Sequence, residues 1–177
     1  MPPLRTDRPP RFDIVPYRDA HASAFRALNR EWIEQYFTME PQDWAVLDDP
    51  RTKILARGGA IFCALCEGEV VGVAAALVDT ADRVELGKMA VSSAHQGLGI
   101  GAALGQAVIA HARASGASLL FLLSNDRLGP ALRFYERLGF QRRPLADGRG
   151  YQRANVYMEL TLHPAGAVGG LDSGRHQ

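Results

Sequence analysis

The sequence predicts one mixed α/β domain, of the α+β kind, in which helices flank a mostly antiparallel central sheet. Three apolar, extended segments follow one another at residues 60–66, 69–79 and 83–91, and the polar turns between them are typical of an antiparallel meander. A glycine-rich loop then opens a helix. Residues 118–123 form a near-continuous apolar run, as in a strand that is covered on both faces.

The segment before the meander is predicted to add one strand and two helices. Residues 12–17 have the composition of a short strand. Asp19 is a candidate N-cap for a helix that ends near Phe37, because apolar residues recur there at helical spacing. A second short helix is predicted at residues 41–47.

Behind the meander, the sequence predicts two more helices and two final strands. Apolar residues between Ile100 and His111 recur at spacings of three and four, as in a helix. Pro130 and Gly139 mark the ends of the last helix, since proline favours the first turn and glycine the position after the last. Strands are predicted at residues 140–143 and 155–162.

These elements predict a domain over residues 12–162 with a tail on each side. Residues 1–11 are rich in proline and charge, and residues 163–177 are small and polar without periodicity. Such segments bury too little apolar surface to offset the entropy of ordering. Both tails are therefore predicted to be disordered.

Charge and hydropathy exclude several classes of protein. The chain carries 20 Lys and Arg against 19 Asp and Glu, so it lacks the basic surplus that nucleic-acid binding favours. No apolar run approaches the ~20 residues of a membrane helix, and none follows the N-terminal residues as in a secretory signal. We therefore expect a cytoplasmic protein that binds neither nucleic acid nor membrane.

The two cysteines form a C-x-x-C pattern, which could indicate a redox pair or half of a metal site. Cys63 and Cys66 lie in a predicted strand, where residues three apart point to opposite faces about 10 Å from each other. A disulfide needs Cα atoms within about 7 Å. No histidine lies at ligand spacing, so we predict two buried, apolar cysteines and no metal site.

The loop between the third meander strand and its helix carries glycine at 97, 99 and 101. In such a loop several backbone N–H groups converge at the positive N-terminus of the helix. This arrangement favours binding of an anion such as a pyrophosphate. The pattern Gly97-x-Gly99-x-x-Ala102 also fits a dinucleotide fingerprint. The antiparallel context and the lack of an acid about 20 residues later make a nucleotide-dependent redox enzyme the weaker alternative.

Two motifs together resemble the GNAT superfamily of N-acetyltransferases over residues 12–162. Gln96-Gly97-Leu98-Gly99-Ile100-Gly101 fits the family's pyrophosphate motif, Q/R-x-x-G-x-G/A. The second motif follows in the family's order, as Ser124-Asn125, Pro130-Ala131, Phe134-Tyr135-Glu136 and Leu138-Gly139-Phe140. The resemblance implies that acetyl-CoA is the acyl donor. The implied acetyl-CoA-binding residues are Met89, Ala90, Val91, Gln96, Gly97, Leu98, Gly99, Ile100, Gly101, Ala102, Asn125, Ala131 and Tyr135.

The resemblance also implies catalytic roles for two residues. Tyr135 would protonate the departing CoA thiolate, and Glu85 would take a proton from the acceptor amine, directly or through water. Alternatively, Tyr135 is a core side chain, Glu85 is a solvated or salt-bridged strand charge, and Asn125 is a turn residue that caps the next helix. Strand alternation predicts that Glu85, Gly87 and Met89 share one face of the strand.

The first helical region shapes the acceptor pocket in the family that the sequence resembles. Six acids and no Lys or Arg lie between residues 31 and 49, among aromatic residues. An acidic, aromatic wall would favour a cationic amine, whereas the alternative is a solvated helix face with aromatic residues in the core. The candidate substrate-binding residues are Trp32, Tyr36 and Phe37.

Two functions remain open at this point. The first is an enzyme that moves an acetyl group from acetyl-CoA to a primary amine of a small molecule or peptide, by direct transfer in a ternary complex. The second is a non-catalytic acyl-CoA sensor of the same fold. The resemblance also makes a homodimer possible.

Overall fold

The structure is a computed structural model that describes residues 11–146 and 150–163. Seven strands form one sheet in the order β1-β2-β3-β4-β5-β7-β6, and every neighbouring pair is antiparallel except β4 and β5. This confirms the mostly antiparallel sheet. Most of both predicted tails lies outside the described residues. The strands are β1 (Asp13–Pro16), β2 (Ala60–Cys66), β3 (Glu69–Thr80), β4 (Arg83–Val91), β5 (Leu119–Ser124), β6 (Gln141–Arg143) and β7 (Val156–Thr161).

Within the described residues, five α-helices flank the sheet. The helices are α1 (Ala22–Tyr36), α2 (Pro41–Asp48), α3 (Pro50–Lys53), α4 (Ile100–Ala114) and α5 (Gly129–Leu138). Asp19 is not the N-cap of α1, because a 3₁₀ turn precedes the helix and the Asp19 carboxylate pairs instead with Arg51. The short α3 was not predicted; Asp49 caps it by accepting from the Thr52 N–H at 3.1 Å. None of the described helices is long and apolar enough to cross a membrane.

The sheet separates two hydrophobic cores. The core on the α4 side includes Leu104, Val108 and Leu120, and the core on the α1 side includes Phe25 and Val73. Cys63 is buried in the α1-side core and Cys66 in the α4-side core, and both are free thiols. The predicted placement of the two cysteines on opposite faces is therefore confirmed.

The parallel strands β4 and β5 separate soon after they meet. They pair only where residues 83–85 face residues 119–121. Beyond that point β4 continues to Val91 and β5 continues to Ser124 without pairing to each other. A cleft therefore opens in the middle of the sheet, with unpaired backbone groups along the edge of β4.

A β-bulge lies in β4 next to this cleft. Ala75 pairs with Gly87 and Val73 with Ala90, so Lys88 and Met89 together oppose one residue of β3. Lys88 has a φ of 48°, which is unusual for a residue with a side chain. Met89 consequently packs on the α4 side and Ala90 on the α1 side. The predicted alternation, with Met89 on the Glu85 face, is therefore wrong beyond Gly87.

Candidate active site

An open cavity lies where β4 and β5 separate. Helices α1 and α5, both strands and residues 151–154 contribute to its wall. The lining residues are Asn29, Trp32, Ile33, Phe37, Leu77, Glu85, Leu86, Gly87, Lys88, Met89, Leu123, Ser124, Asn125, Leu128, Tyr135, Tyr151, Arg153 and Ala154. The predicted catalytic pair, Glu85 and Tyr135, therefore shares one cavity.

Glu85 lies in β4 with its carboxylate in a half-buried position. Burial raises its pKa to about 7, and this effect exceeds the opposing attraction of the Lys88 ammonium. No described residue donates a hydrogen bond to the carboxylate. The group is thus partly ionised near neutral pH, as an acceptor of an amine proton should be.

Gly87 keeps space open beside this carboxylate. A Cβ at Gly87 would lie 3.5 Å from Glu85 Oε1 and 2.9 Å from Leu77 Cδ1. The second distance is shorter than real Cβ contacts, so any side chain here would displace its neighbours. Sequence reasoning did not assign Gly87 to the site, because a single glycine in a strand carries no signal of what lies beside it.

Tyr135 lines the cavity from α5. Its ring contacts the rings of Phe134 and Phe140, with centroids 5.3 and 6.1 Å apart. Burial raises the pKa of the phenol to about 12, so it keeps its proton at neutral pH. Among the described residues no hydrogen-bond partner occupies the hydroxyl, which leaves that proton available to a leaving group.

Asn125 lines the cavity, and its amide is also engaged in the surrounding loops. Its Oδ1 accepts from the Arg127 N–H at 2.9 Å, and its Nδ2 donates to the Arg153 carbonyl at 2.6 Å. The N-cap of α5 is Leu128, so Asn125 is a turn residue that precedes the cap. Its hydrogen bond to the Arg153 carbonyl connects residues 151–154 to the end of β5.

A buried ionic cluster that was not predicted from the sequence forms the wall beside Glu85. Asp43 is fully buried in α2, and its carboxylate accepts from Lys88 Nζ at 2.8 Å and from both terminal nitrogens of Arg153 at 2.7 and 2.8 Å. These bonds lower the pKa of Asp43 to about 2 despite its burial. Glu40 accepts from Arg153 as well, at 3.0 Å. We call these residues, with Tyr151, the Asp43 cluster.

Tyr151 closes the Asp43 cluster on the cavity side. Its hydroxyl accepts from Lys88 Nζ at 2.7 Å. Its ring has Lys88 Nζ at 4.5 Å and the Arg153 guanidinium carbon at 4.2 Å from the centroid. Both cations therefore lie close to the ring of Tyr151 at the wall of the cavity.

Of the two alternatives for residues 31–49, the structure favours a helix face whose acids are paired or solvated over an acidic cavity wall, although part of the aromatic component lines the cavity. Trp32 and Phe37 line the cavity, whereas Tyr36 does not and is 43% exposed. None of the six acids lines the cavity. Glu34 pairs with Arg30, Asp48 with Arg26, Glu40 and Asp43 with Arg153, Asp49 caps α3, and Glu31 is exposed.

The glycine loop has the open backbone that an anion needs. Gly97 and Gly99 have φ values of 78° and 83°, a region that residues with a Cβ rarely adopt. A Cβ at either position would meet no atom within 4 Å, so the outer side of the loop is free. Gly101 has an ordinary φ, and a Cβ there would lie 3.6 Å from Met89 Cε. Alanine therefore fits at Gly101, as the family motif allows.

The other residues implied to bind acetyl-CoA surround this loop. Gln96 Nε2 donates to the Val91 carbonyl at 3.4 Å and so ties the loop to the end of β4. Ile100 is buried against Gly72, where a Cβ would lie 2.9 Å from Ile100 Cγ2. The remaining members are Leu98, which packs on the α4-side core, the exposed Ala102 at the start of α4, and Ala131 in the first turn of α5.

Known proteins resemble this chain in both sequence and fold. N-acetylaspartate synthetase from Xenopus tropicalis is 34% identical over 110 residues, which cover 62% of this chain and 35% of the relative. The synthetase from Danio rerio is 38% identical over 86 residues, which cover 48% of this chain and 30% of the relative. The chain thus spans about a third of the length of these curated relatives.

Two crystal structures illustrate the likeness in fold. A GNAT-family acetyltransferase from Staphylococcus aureus Mu50 superposes with a TM-score of 0.78 at 19% identity, covering 86% of this chain and all of the other. A phosphinothricin acetyltransferase from Sinorhizobium meliloti, in complex with acetyl-CoA, has a TM-score of 0.72 at 20% identity, with 92% and 94% covered. The sequence model of the acetyltransferase (GNAT) family matches residues 22–140. The chain belongs to the GNAT acetyltransferase family.

Proposed function

We propose that this chain is an N-acetyltransferase that moves the acetyl group of acetyl-CoA to a primary amine of a small molecule or peptide. One observation carries the proposal: Glu85 and Tyr135 line the same cavity, and their environments separate their pKa values to about 7 and about 12. A pair tuned in this way supplies a base and an acid at one pH. The transfer is direct, with both substrates bound together.

The donor would lie along the glycine loop and the cleft. The N–H groups around Gly99 and the N-terminus of α4 favour the pyrophosphate of CoA. The edge of β4 that β5 leaves unpaired offers backbone groups to the pantetheine arm, and a donor there would stabilise the charge that develops on the acyl oxygen. Residues 89–91 therefore serve through their backbone while their side chains pack.

Groups in the cavity can account for every proton and every bond that changes during the transfer. Glu85 takes a proton from the acceptor ammonium, directly or through water, because only the neutral amine has a lone pair. The amine nitrogen then bonds to the acyl carbon, and the bond from that carbon to sulfur breaks. Tyr135 gives its proton to the leaving thiolate, the second amine proton passes through water to the Tyr135 phenolate, and Glu85 releases its proton to solvent.

Release of CoA thiol in the presence of an amine panel tests the proposal. The panel contains amino acids, polyamines, aminoglycosides and peptides, and aspartate is included because two relatives are named N-acetylaspartate synthetase. Binding of acetyl-CoA, followed by calorimetry, is the control. Amine-dependent thiol release is the expected result. Tight acetyl-CoA binding without release for any amine would favour the sensor instead.

A Tyr135→Phe variant is expected to lower kcat about 10- to 100-fold, a modest general-acid effect because a thiolate leaves without much assistance. The hydroxyl has no described hydrogen-bond partner, so its removal leaves the packing with Phe134 and Phe140 intact. Calorimetry should show acetyl-CoA affinity close to that of the wild type. Turnover at the parental rate would remove Tyr135 from the mechanism.

A Gly99→Val variant is expected to weaken acetyl-CoA binding at least about 10-fold, since a β-branched residue strains the left-handed backbone at this position. Gly101→Ala is the matched control, because a Cβ there makes only ordinary contacts. Isothermal titration with acetyl-CoA measures both variants. Equal affinity in the two variants would contradict a role of the loop conformation in binding the donor.

A further inference from the structure

The charged residues of the cavity wall show which acceptor the site favours. In the described part of the chain, the charged residues that line the cavity are Glu85, Lys88 and Arg153. The acids that neutralise the two cations, Asp43 and Glu40, lie behind the wall and do not line it. The wall therefore contains two cationic residues and one carboxyl group, with the side chains of Lys88 and Arg153 5% and 16% exposed.

Lys88 and Arg153 also have N–H groups that form no hydrogen bond within the described residues. Lys88 has three N–H bonds and uses two, on Asp43 and Tyr151. Arg153 has five side-chain N–H bonds and gives three of them to Asp43 and Glu40. The Tyr151 hydroxyl accepts from Lys88, so its own proton is not used in that bond. These donors have no further acceptor among the described residues.

We propose that the acceptor is an amine that carries a carboxylate, of the amino-acid class, and that Lys88, Arg153 and Tyr151 bind this carboxylate. An acidic group is the chemical partner that complements uncommitted donors on two cations. The amine of the same molecule would then lie toward Glu85 on the same wall. This inference rests on the proposed N-acetyltransferase activity and names its substrate class.

The same charges disfavour the cationic amines that the acidic sequence segment suggested. A polyamine would bring a second positive charge to a wall where Lys88 and Arg153 already face the cavity. The acids of residues 31–49 do not line the cavity, and the carboxylate oxygens of Asp43 and Glu40 are already occupied by Arg153 and Lys88.

Matched acceptor pairs test the proposal without identifying the natural substrate. Aspartate, glutamate, glycine and β-alanine are compared with the corresponding amides that lack the free carboxylate. An amide has the more acidic ammonium group and hence more free amine at neutral pH, so simple chemical reactivity favours the amide. We expect kcat/KM for at least one acid to exceed that of its amide about 10-fold or more.

Variants of Arg153 and Lys88 test whether these residues cause the preference for acids over amides. Arg153→Gln and Lys88→Met are each expected to lower the ratio of acid to amide kcat/KM about 10-fold, whereas Arg153→Lys should restore part of it. A general disturbance of the Asp43 cluster would slow both acceptors equally and leave the ratio unchanged. Arg51→Gln is the control, because Arg51 pairs with Asp19 on the surface. Unchanged ratios in Arg153→Gln and Lys88→Met would overturn the assignment.

The outcomes separate this inference from the proposed activity. Turnover of polyamines or amides in preference to every acid would overturn the carboxylate site while the transferase remains. If no amine is acetylated, binding of the same acids and amides to the CoA-saturated protein is measured by calorimetry. Acid-selective binding that Arg153→Gln abolishes would support the site although the transferase fails. Binding of neither class would overturn the site as well.

Discussion

A Glu85→Gln variant is expected to lower kcat/KM about 100- to 10,000-fold, the range of a lost general base. Glutamine keeps the size of the side chain but cannot take the amine proton. Binding of acetyl-CoA should stay near that of the wild type, because the glycine loop is unchanged. Glu69→Gln, at the exposed start of β3, is the matched control and should keep full activity.

The pH dependence of the reaction gives an independent test of Glu85. Its pKa is raised to about 7, so the base becomes ionised as the pH rises through that value. The kcat/KM of the wild type should therefore increase with pH around 7, and Glu85→Gln should lose this limb of the profile. An identical limb in the variant would assign the ionisation to another group.

The same ionisation affects stability in the opposite direction. The folded-state pKa of Glu85 lies above its ordinary value of 4.5, so the folded state holds the proton more tightly and loses stability as the pH rises from there through 7. Glu85→Gln removes this cost, so its free energy of unfolding at pH 8 should exceed that of the wild type, by up to about 3 kcal/mol. Urea denaturation at pH 5 and pH 8 measures the difference.

An Asp43→Ala variant is expected to lower the free energy of unfolding by about 3–5 kcal/mol at pH 7, because it leaves Lys88 and Arg153 at the cavity wall without their shared anion. The pKa of Asp43 is lowered to about 2, so its contribution is present above its ordinary value of 3.8 and is lost as the pH falls toward 2. Urea denaturation at several pH values measures both effects.

Asp48→Ala is the matched control for this prediction. Asp48 lies in the same helix, but its ion pair with Arg26 is exposed, with side chains 54% and 43% accessible. Such pairs contribute less than about 1 kcal/mol. Equal losses in the two variants would mean that the Asp43 cluster is no more important to the fold than a surface ion pair.

Short-range patterns were enough to predict most of the fold. The meander, the helix after the glycine loop and the glycine that ends α5 at Gly139 all follow from spacings of a few residues. The separation of β4 from β5 does not, because it depends on where two distant strands stop pairing. The bulge at Lys88 carries no local signal either, since the residue is not one that favours a positive φ.

The candidate site was predictable only where a motif marked it. Tyr135 and the glycine loop belong to motifs, and Glu85 lies at a motif-related strand position. In the Asp43 cluster, Asp43 binds Lys88, which is 45 positions away in the chain, and Arg153, which is 110 positions away. No periodicity in the sequence could show contacts between residues so far apart. For the same reason the sequence could not decide whether the acids of residues 31–49 face the acceptor or form a solvated helix face.

The fate of an isotopically labelled acetyl group tests the central claim most directly. The protein is mixed with labelled acetyl-CoA and an amino acid, and mass spectrometry follows the amide product and the intact protein while thiol release is measured. Direct transfer predicts labelled N-acetyl product in equal amount to the released thiol, an unlabelled protein, and no thiol release without amine. Thiol release without amide, or label retained on the protein, would contradict the account.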